Sequence, residues 1–230
     1  MLDSYNNFLS EFKISEDQFL DFGINSVIYI PIDKAKKNWN LLKEKITNDN
    51  EVFIRGFGRD AKGTPLLLEF YKNLLGNSHI KKDPTNNNHP TKLIKELSGY
   101  SKSKIKTTKY EQLRNYQISH IYGRTKNVYA FTAPWNIAYI PKIYDPFTGH
   151  EAEGNMVKEF TSKLEIQTYK IFRPLIEDFN NIITHPTFTD KLKVGLNILK
   201  NNTSNLQHES LNRLIKSIES EFSPINTNFK

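Results

Sequence analysis

Apolar residues recur at helical spacing over most of this chain and alternate only in short runs. DSYNNFLSEF and SEDQFLDF both carry their apolar positions three and four apart, which predicts two short helices. SVIYIPI is a β-branched and aromatic run closed by Pro31 and reads as a strand. DKAKKNWNLLKEKI then sets Trp39, Leu41, Leu42 and Ile46 on an amphipathic helix. The next stretch, VFIRGFGRDAKGTPLLLEFYKNLLG, reads as a strand, a glycine turn and a helix starting near Pro65.

KDPTNNNHP is dense in turn formers and marks either a boundary or a long loop within one domain. Beyond it come a short helix, TKLIKEL, and the lysine-rich KSKIKTTKYEQLRN. QISHIYGRTKNVYAFTAPWNIAYIPK follows, a short strand ending at His120, a GRTKN turn, and a new element after Asn136. After Gly154 the spacing is helical: Val157, Phe160, Leu164, Ile171, Leu175, Phe179 and Ile182 form one stripe, with Pro174 expected to kink or divide it. Helices near 190–200 and 208–222 complete the pattern, and the tail SPINTNFK is expected to fray. The fold class is therefore α+β, mainly helical with a few N-terminal strands. Three segments follow: an N-terminal α/β scaffold over 1–90, a basic segment and chemical core over 91–153, and a helical layer over 154–230.

With 37% hydrophobic and 12% aromatic residues in 230, the chain can bury a substantial core. Apolar runs are far shorter than the roughly 18 residues of a membrane span, so no membrane partner is expected. Residues 1–11 carry acids and amides instead of a basic and then apolar leader, which argues against a standard secretion signal and for a cytoplasmic protein. Zero cysteines exclude disulfides, a thiolate zinc site and a cysteine nucleophile, so any metal is held by nitrogen and oxygen. The net charge of +7 is concentrated: residues 81–126 hold eleven Lys or Arg against Asp83, Glu96 and Glu111. Lys102, Lys104, Lys106, Lys109, Arg114 and Lys126, interleaved with Tyr100, Tyr110, Tyr116 and Tyr122, form the footprint of a surface that neutralises phosphates. Arg55 and Arg59 are further candidate contacts to a nucleic-acid backbone. The plainer alternative is a solvated lysine-rich face.

Phosphodiester hydrolysis needs a base to activate water, a cation to stabilise developing charge, and a cationic side chain nearby. His120 can be the base, Asn136 offers an amide oxygen to Mg²⁺ or Mn²⁺, and Arg124 and Lys126 lie in the intervening turn. The plainer alternatives are a hydrogen-bonded core histidine, an asparagine that caps the next element, and Trp135 as a core aromatic. GFGRDAKGT has the glycines of a phosphate-cradling loop but no GK[ST] closes it, so an ordinary strand-to-helix connection is the simpler reading; a phosphorylated small-molecule substrate there would depend on Arg59 and Lys62. His79, His89, His185 and His208 show no i, i+4 pairing for a helical zinc site, and no G-x-S-x-G elbow supports a serine hydrolase.

SHI at His120, WNI at Asn136 and the continuation NIAYIPK resemble the HNH nucleases of the ββα-metal superfamily. The resemblance covers roughly residues 114–151 and implies a small ββα-metal unit embedded in a larger helical scaffold, without the cysteine zinc ribbon that often supports it. It makes His120 the general base and Asn136 the second motif position, and His150 the candidate for the third. Ser119 stands where many members have a metal-binding Asp or His, so an acid from elsewhere is needed, Asp145 or Glu151 being favoured over Glu153. The implied activity is endonucleolytic cleavage of double-stranded DNA with Mg²⁺ or Mn²⁺, and the implied role a sequence-specific type II restriction endonuclease acting as a homodimer. A nuclease toxin or homing-type enzyme would use the same site, and a non-catalytic nucleic-acid-binding protein would use the basic stretch alone.

Overall fold

The computed structural model of the chain describes residues 3–57, 63–103, 109–149, 153–202 and 208–229. Two short helices, α1 (Ser4–Glu11) and α2 (Glu16–Asn25), open the fold. Their starts are set by local chemistry. Asp3 accepts hydrogen bonds from the Tyr5 and Asn6 N–H groups, and Ser15 and Gln18 form a reciprocal capping box, each side chain accepting from the other's backbone N–H. Gly23 lets α2 lie against Tyr144 and Phe160, whose ring carbons stand 2.6 and 2.8 Å from where a Cβ would be.

The run expected as a strand after α2 makes only one antiparallel bridge, Ile28 to Tyr139, before Pro31 starts α3 (Ile32–Thr47). The proline that ends the apolar run also opens the next helix, which leaves too little chain for a ladder. Strand β1 (Val52–Ile54), helix α4 (Gly63–Leu75) and strand β2 (Ile80–Lys82) form a compact βαβ unit, with β1 and β2 paired in parallel from Val52↔Ile80 to Ile54↔Lys82. Helix α5 (Asn88–Ser98) ends in the left-handed Gly99, and the two-residue strands β3 (Tyr100–Ser101) and β4 (Glu111–Gln112) pair in parallel beyond it.

Strands β5 (Tyr116–His120) and β6 (Ile137–Pro141) form an antiparallel hairpin, registered from Tyr116↔Pro141 to His120↔Ile137. Every residue of β6 is buried, and His120 sits at the end of β5 as expected. Two 3₁₀ turns, Lys142–Tyr144 and Pro146–Thr148, follow. Among the described residues between 114 and 151 there is no α-helix; the next is α6 (Asn155–Thr184). Helix α6 kinks at Phe172, which has non-helical dihedrals, two residues before Pro174 removes a backbone donor. Helices α7 (Pro186–Asn202) and α8 (His208–Glu221) complete an α+β fold dominated by helices.

One apolar cluster unites the chain from Ile30 to Ile225, through Trp39, Ile54, Phe70, Ile94, Trp135 and Phe179. Trp135 is fully buried against Trp39, Tyr122 and Phe179. A second cluster packs Leu20, Ile140, Tyr144, Phe147 and Phe160 beneath α1 and α2. Burying each of these large side chains contributes about 1.5–3 kcal/mol, so the hairpin stands on a rigid floor. The C-terminal tail is tied down where fraying was expected: the Asn180 side chain donates to the Ile225 carbonyl at 2.9 Å and accepts from its N–H at 2.8 Å, and Phe229 packs on Tyr169. Among the described residues no helix is long and apolar enough to cross a membrane.

Candidate active site

The end of β5, the turn after it, the segment after β1, the Asn86–Asn87 turn and the last turn of α8 enclose a polar cleft of about 1050 Å³. Arg55, His120, Arg124, Lys126 and Asp145 all line it, so the fold brings together five of the residues singled out by sequence. Arg55 is separated from His120 along the chain, and it reaches the cleft at the end of β1, where its N–H donates to the Thr125 carbonyl at 2.9 Å.

His120 is held by one contact that fixes its chemistry. Its Nε2 lies 2.9 Å from the Phe131 carbonyl oxygen, and the two rings stack at 5.4 Å with planes 10° apart. A carbonyl can only accept, so Nε2 carries the proton and the lone pair falls on Nδ1. Burial pushes the imidazole pKa down to about 4; the Arg55 charge adds to this, while the Phe131 carbonyl and Asp83 oppose it. The ring is therefore neutral at pH 7, the state a base requires.

The same shift bears on stability. A histidine with a folded pKa of about 4 and an unfolded pKa of about 6.5 binds fewer protons when folded. Its contribution is complete above the unfolded pKa and is lost as pH falls through the folded one, on the order of 3 kcal/mol between these limits. Urea titrations at pH 7 and pH 4 should show a larger loss for the wild type than for His120→Gln. Equal losses would mean that His120 is protonated freely in the folded state.

Asn136 occupies a different role from the metal ligand expected. Its side chain is fully buried: Oδ1 accepts from the Tyr122 N–H at 2.9 Å, and Nδ2 donates to the carbonyls of Gly123 at 2.8 Å and Ala130 at 3.1 Å. Its backbone carbonyl accepts from the Ile121 N–H at 2.9 Å. The amide is directed into the long hairpin loop, whose two ends it ties together, and it is absent from the cleft lining. These contacts fix the loop that carries the Phe131 carbonyl to His120.

Arg124 adopts a left-handed conformation, φ 53°, which turns it into the cleft. Its Nη2 is 3.5 Å from the Pro224 carbonyl, while its buried Nε lacks a hydrogen-bond partner. Burial lowers its pKa from the ordinary value, and Glu221 and Glu165 oppose the shift. Arginine stays charged, so this guanidinium, at the lining of the cleft, suits a phosphate oxygen. Arg55 donates to the Asn86 carbonyl and the Asn87 side chain, both at 3.3 Å. Lys126 is engaged elsewhere: its N–H donates to Glu221 at 2.9 Å, its Nζ lies 3.4 Å from the same carboxylate, and it covers the Phe57 ring.

Asp145 lies between the two 3₁₀ turns on the rim, its backbone carbonyl accepting from the Thr148 hydroxyl at 3.0 Å. Asp145 is exposed at the cleft and offers a hard oxygen of the type that Mg²⁺ or Mn²⁺ takes, whereas the Asn136 amide is engaged by the loop. Among the described residues no three His, Asp or Glu side chains converge as a metal cluster. His150, Glu151, Arg59, Lys62, Lys104 and Lys106 lie outside the described residues. Of the remaining basic residues, Lys102, Lys109 and Arg114 are exposed outside the cleft. Partial burial, with the charge of Lys142, lowers the Lys102 pKa, and Asp145 opposes this.

Asp83, Phe131 and Glu221 support the site without standing in any motif of the sequence. Asp83 is fully buried and accepts from the N–H groups of Thr85, Asn88 and His89 and from the His89 ring. Burial pushes its pKa up, but these donors outweigh it and hold the carboxylate below its ordinary value. An aspartate ahead of a turn and a helix start was the available signal. Nothing local marks Phe131, which acts through its backbone.

Fold and site together define an α+β protein with a polar cleft built on one β-hairpin. The chain belongs to the family described as uncharacterised protein PM1201, whose match spans residues 30–227 and so includes all five cleft residues named above. It is 42% identical over 224 residues to the uncharacterized protein PM1201 of Pasteurella multocida (strain Pm70), with 97% of each chain covered. No solved structure matches the fold.

Proposed function

We propose that this protein is a metal-dependent endonuclease that hydrolyses phosphodiester bonds in double-stranded DNA. The observation that carries the reading is the His120 imidazole, neutral and fixed by the Phe131 carbonyl in the tautomer whose Nδ1 can accept a proton, in a cleft with two arginines. In this reading Nδ1 takes a proton from the attacking water. The Arg124 and Arg55 guanidinium groups bind the non-bridging oxygens of the scissile phosphate and stabilise the charge that builds there. Asp145 would hold Mg²⁺ or Mn²⁺, with His150 and Glu151 as the further candidates, and the cation would supply Lewis-acid stabilisation of the phosphate and leaving oxygen. The sequence resemblance favours a sequence-specific restriction endonuclease working as a homodimer.

Incubating the purified protein with supercoiled plasmid and with a phage genome tests this. Cleavage into discrete fragments with Mg²⁺ or Mn²⁺, abolished by EDTA, is the expected outcome. DNA that is retarded on a gel but stays intact with every metal would replace the nuclease by a DNA-binding protein.

A further inference from the structure

We propose that Glu221, at the end of α8, is a positioning residue for His120; this rests on the reading of His120 as the base. A carboxylate inside a cleft meant for phosphate is an electrostatic burden, since it repels the substrate and competes for the cations that should bind it. Glu221 lines this cleft with its side chain only 13% exposed. Its contacts explain its presence. The carboxylate accepts from the Lys126 N–H at 2.9 Å, and its backbone carbonyl accepts from the Asn127 side-chain amide at 2.8 Å. Asn127 is fully buried; its own carbonyl accepts from the N–H groups of Ala130 at 3.0 Å and Phe131 at 2.9 Å, and its Oδ1 from the Tyr129 N–H at 2.8 Å. The Phe131 carbonyl then receives the His120 Nε2–H at 2.9 Å.

Two contacts thus tie the end of α8 to the loop, the Glu221 carboxylate to the Lys126 N–H across 95 residues of sequence and the Glu221 carbonyl to the Asn127 amide, and the chain from Lys126 to Asn127 with the Asn127 hydrogen bonds carries the restraint on to the Phe131 carbonyl and the imidazole. Asn136 pins the loop from the hairpin side, and Glu221 clamps it from the helix side. A base whose proton acceptor must be aimed within a fraction of an ångström depends on the groups that fix its ring. Helix α8 itself is docked by Ile218 and by Phe222 against Phe70, Tyr71 and Phe188, so removing the carboxylate leaves the helix seated.

The test compares wild type, Glu221→Ala and Glu221→Gln by two readouts. In ¹⁵N-labelled protein the His120 ring shifts report which nitrogen is protonated. Wild type should give the Nε2–H form alone, Glu221→Ala a mixture, and Glu221→Gln, whose amide oxygen still accepts from Lys126, the wild-type pattern. In single-turnover cleavage Glu221→Ala should lose about 10–100-fold in rate at saturating DNA with unchanged half-saturation, and Glu221→Gln should recover most of it. A folded Glu221→Ala with wild-type tautomer and rate overturns the proposal. If that variant does not fold, Glu221→Asp, shorter by one methylene, takes its place, and a wild-type tautomer and rate there overturn it equally. The tautomer readout needs no activity, so a wild type that cuts nothing defeats the nuclease reading while leaving the clamp decided by its own data.

Discussion

His120→Ala is expected to lower the rate of DNA cleavage by about 10²–10⁴-fold, the usual contribution of a well-placed general base. The substitution removes the Nδ1 lone pair and nothing that binds phosphate, so gel-shift affinity for the same DNA should change little. Arg124 remains, held by its left-handed backbone and by the Pro224 carbonyl, and Arg55 remains on the Asn86–Asn87 turn. The rate loss should therefore appear at saturating DNA in single-turnover experiments and should not be recovered by adding more protein. Because burial holds the ring neutral with a pKa of about 4, the wild-type rate should not show a histidine titration near pH 6.5. A variant that cuts at the wild-type rate would remove His120 from the chemistry.

The largest loss of stability is expected from Asn136→Ala. The substitution strands the Tyr122 N–H and the carbonyls of Gly123 and Ala130, the latter fully buried. Each abandoned buried group costs about 1–3 kcal/mol, and because they share one loop the losses do not simply add; a total of roughly 3–5 kcal/mol is expected from urea denaturation. Asn136→Asp separates the pin from a metal ligand. A carboxylate keeps the acceptor for Tyr122 but sets negative charge against two carbonyls, so it should destabilise the protein as well. Were Asn136 a ligand, the added charge would tighten Mg²⁺ or Mn²⁺ binding in a protein of normal stability, and that result would restore the role its sequence position suggested.

Periodicity made most helices legible, including the kinked α6, because the burial of Phe160, Leu164, Leu175 and Phe179 repeats along one stripe. It also located β5 and the histidine at its end. SVIYIPI has the composition of a strand but makes a single bridge, because β propensity describes how residues suit a pleated surface and not whether a partner edge is available. The tail was misread for a related reason: SPINTNFK is polar by composition, yet Asn180, 45 residues earlier, supplies the partners that hold Ile225. In the site, residue types pointed to His120, Arg124, Arg55 and Asp145, which converge on one cleft. The partners of a side chain were not legible. Whether an asparagine oxygen faces a cation or a backbone N–H depends on how a loop closes over 14 residues, as it does between Tyr122 and Asn136. The Phe131 carbonyl is invisible to any motif, since every residue has one.

Chemical rescue separates a proton acceptor at position 120 from a merely structural histidine. His120→Ala is assayed on plasmid DNA with Mn²⁺ at pH 7.5 over increasing imidazole, beside wild type. If His120 is the base, the variant's slow cleavage rises with imidazole concentration, because the free base enters the space left beside Phe131, while the wild-type rate stays flat. Cleavage by His120→Ala that matches wild type without imidazole would contradict that role.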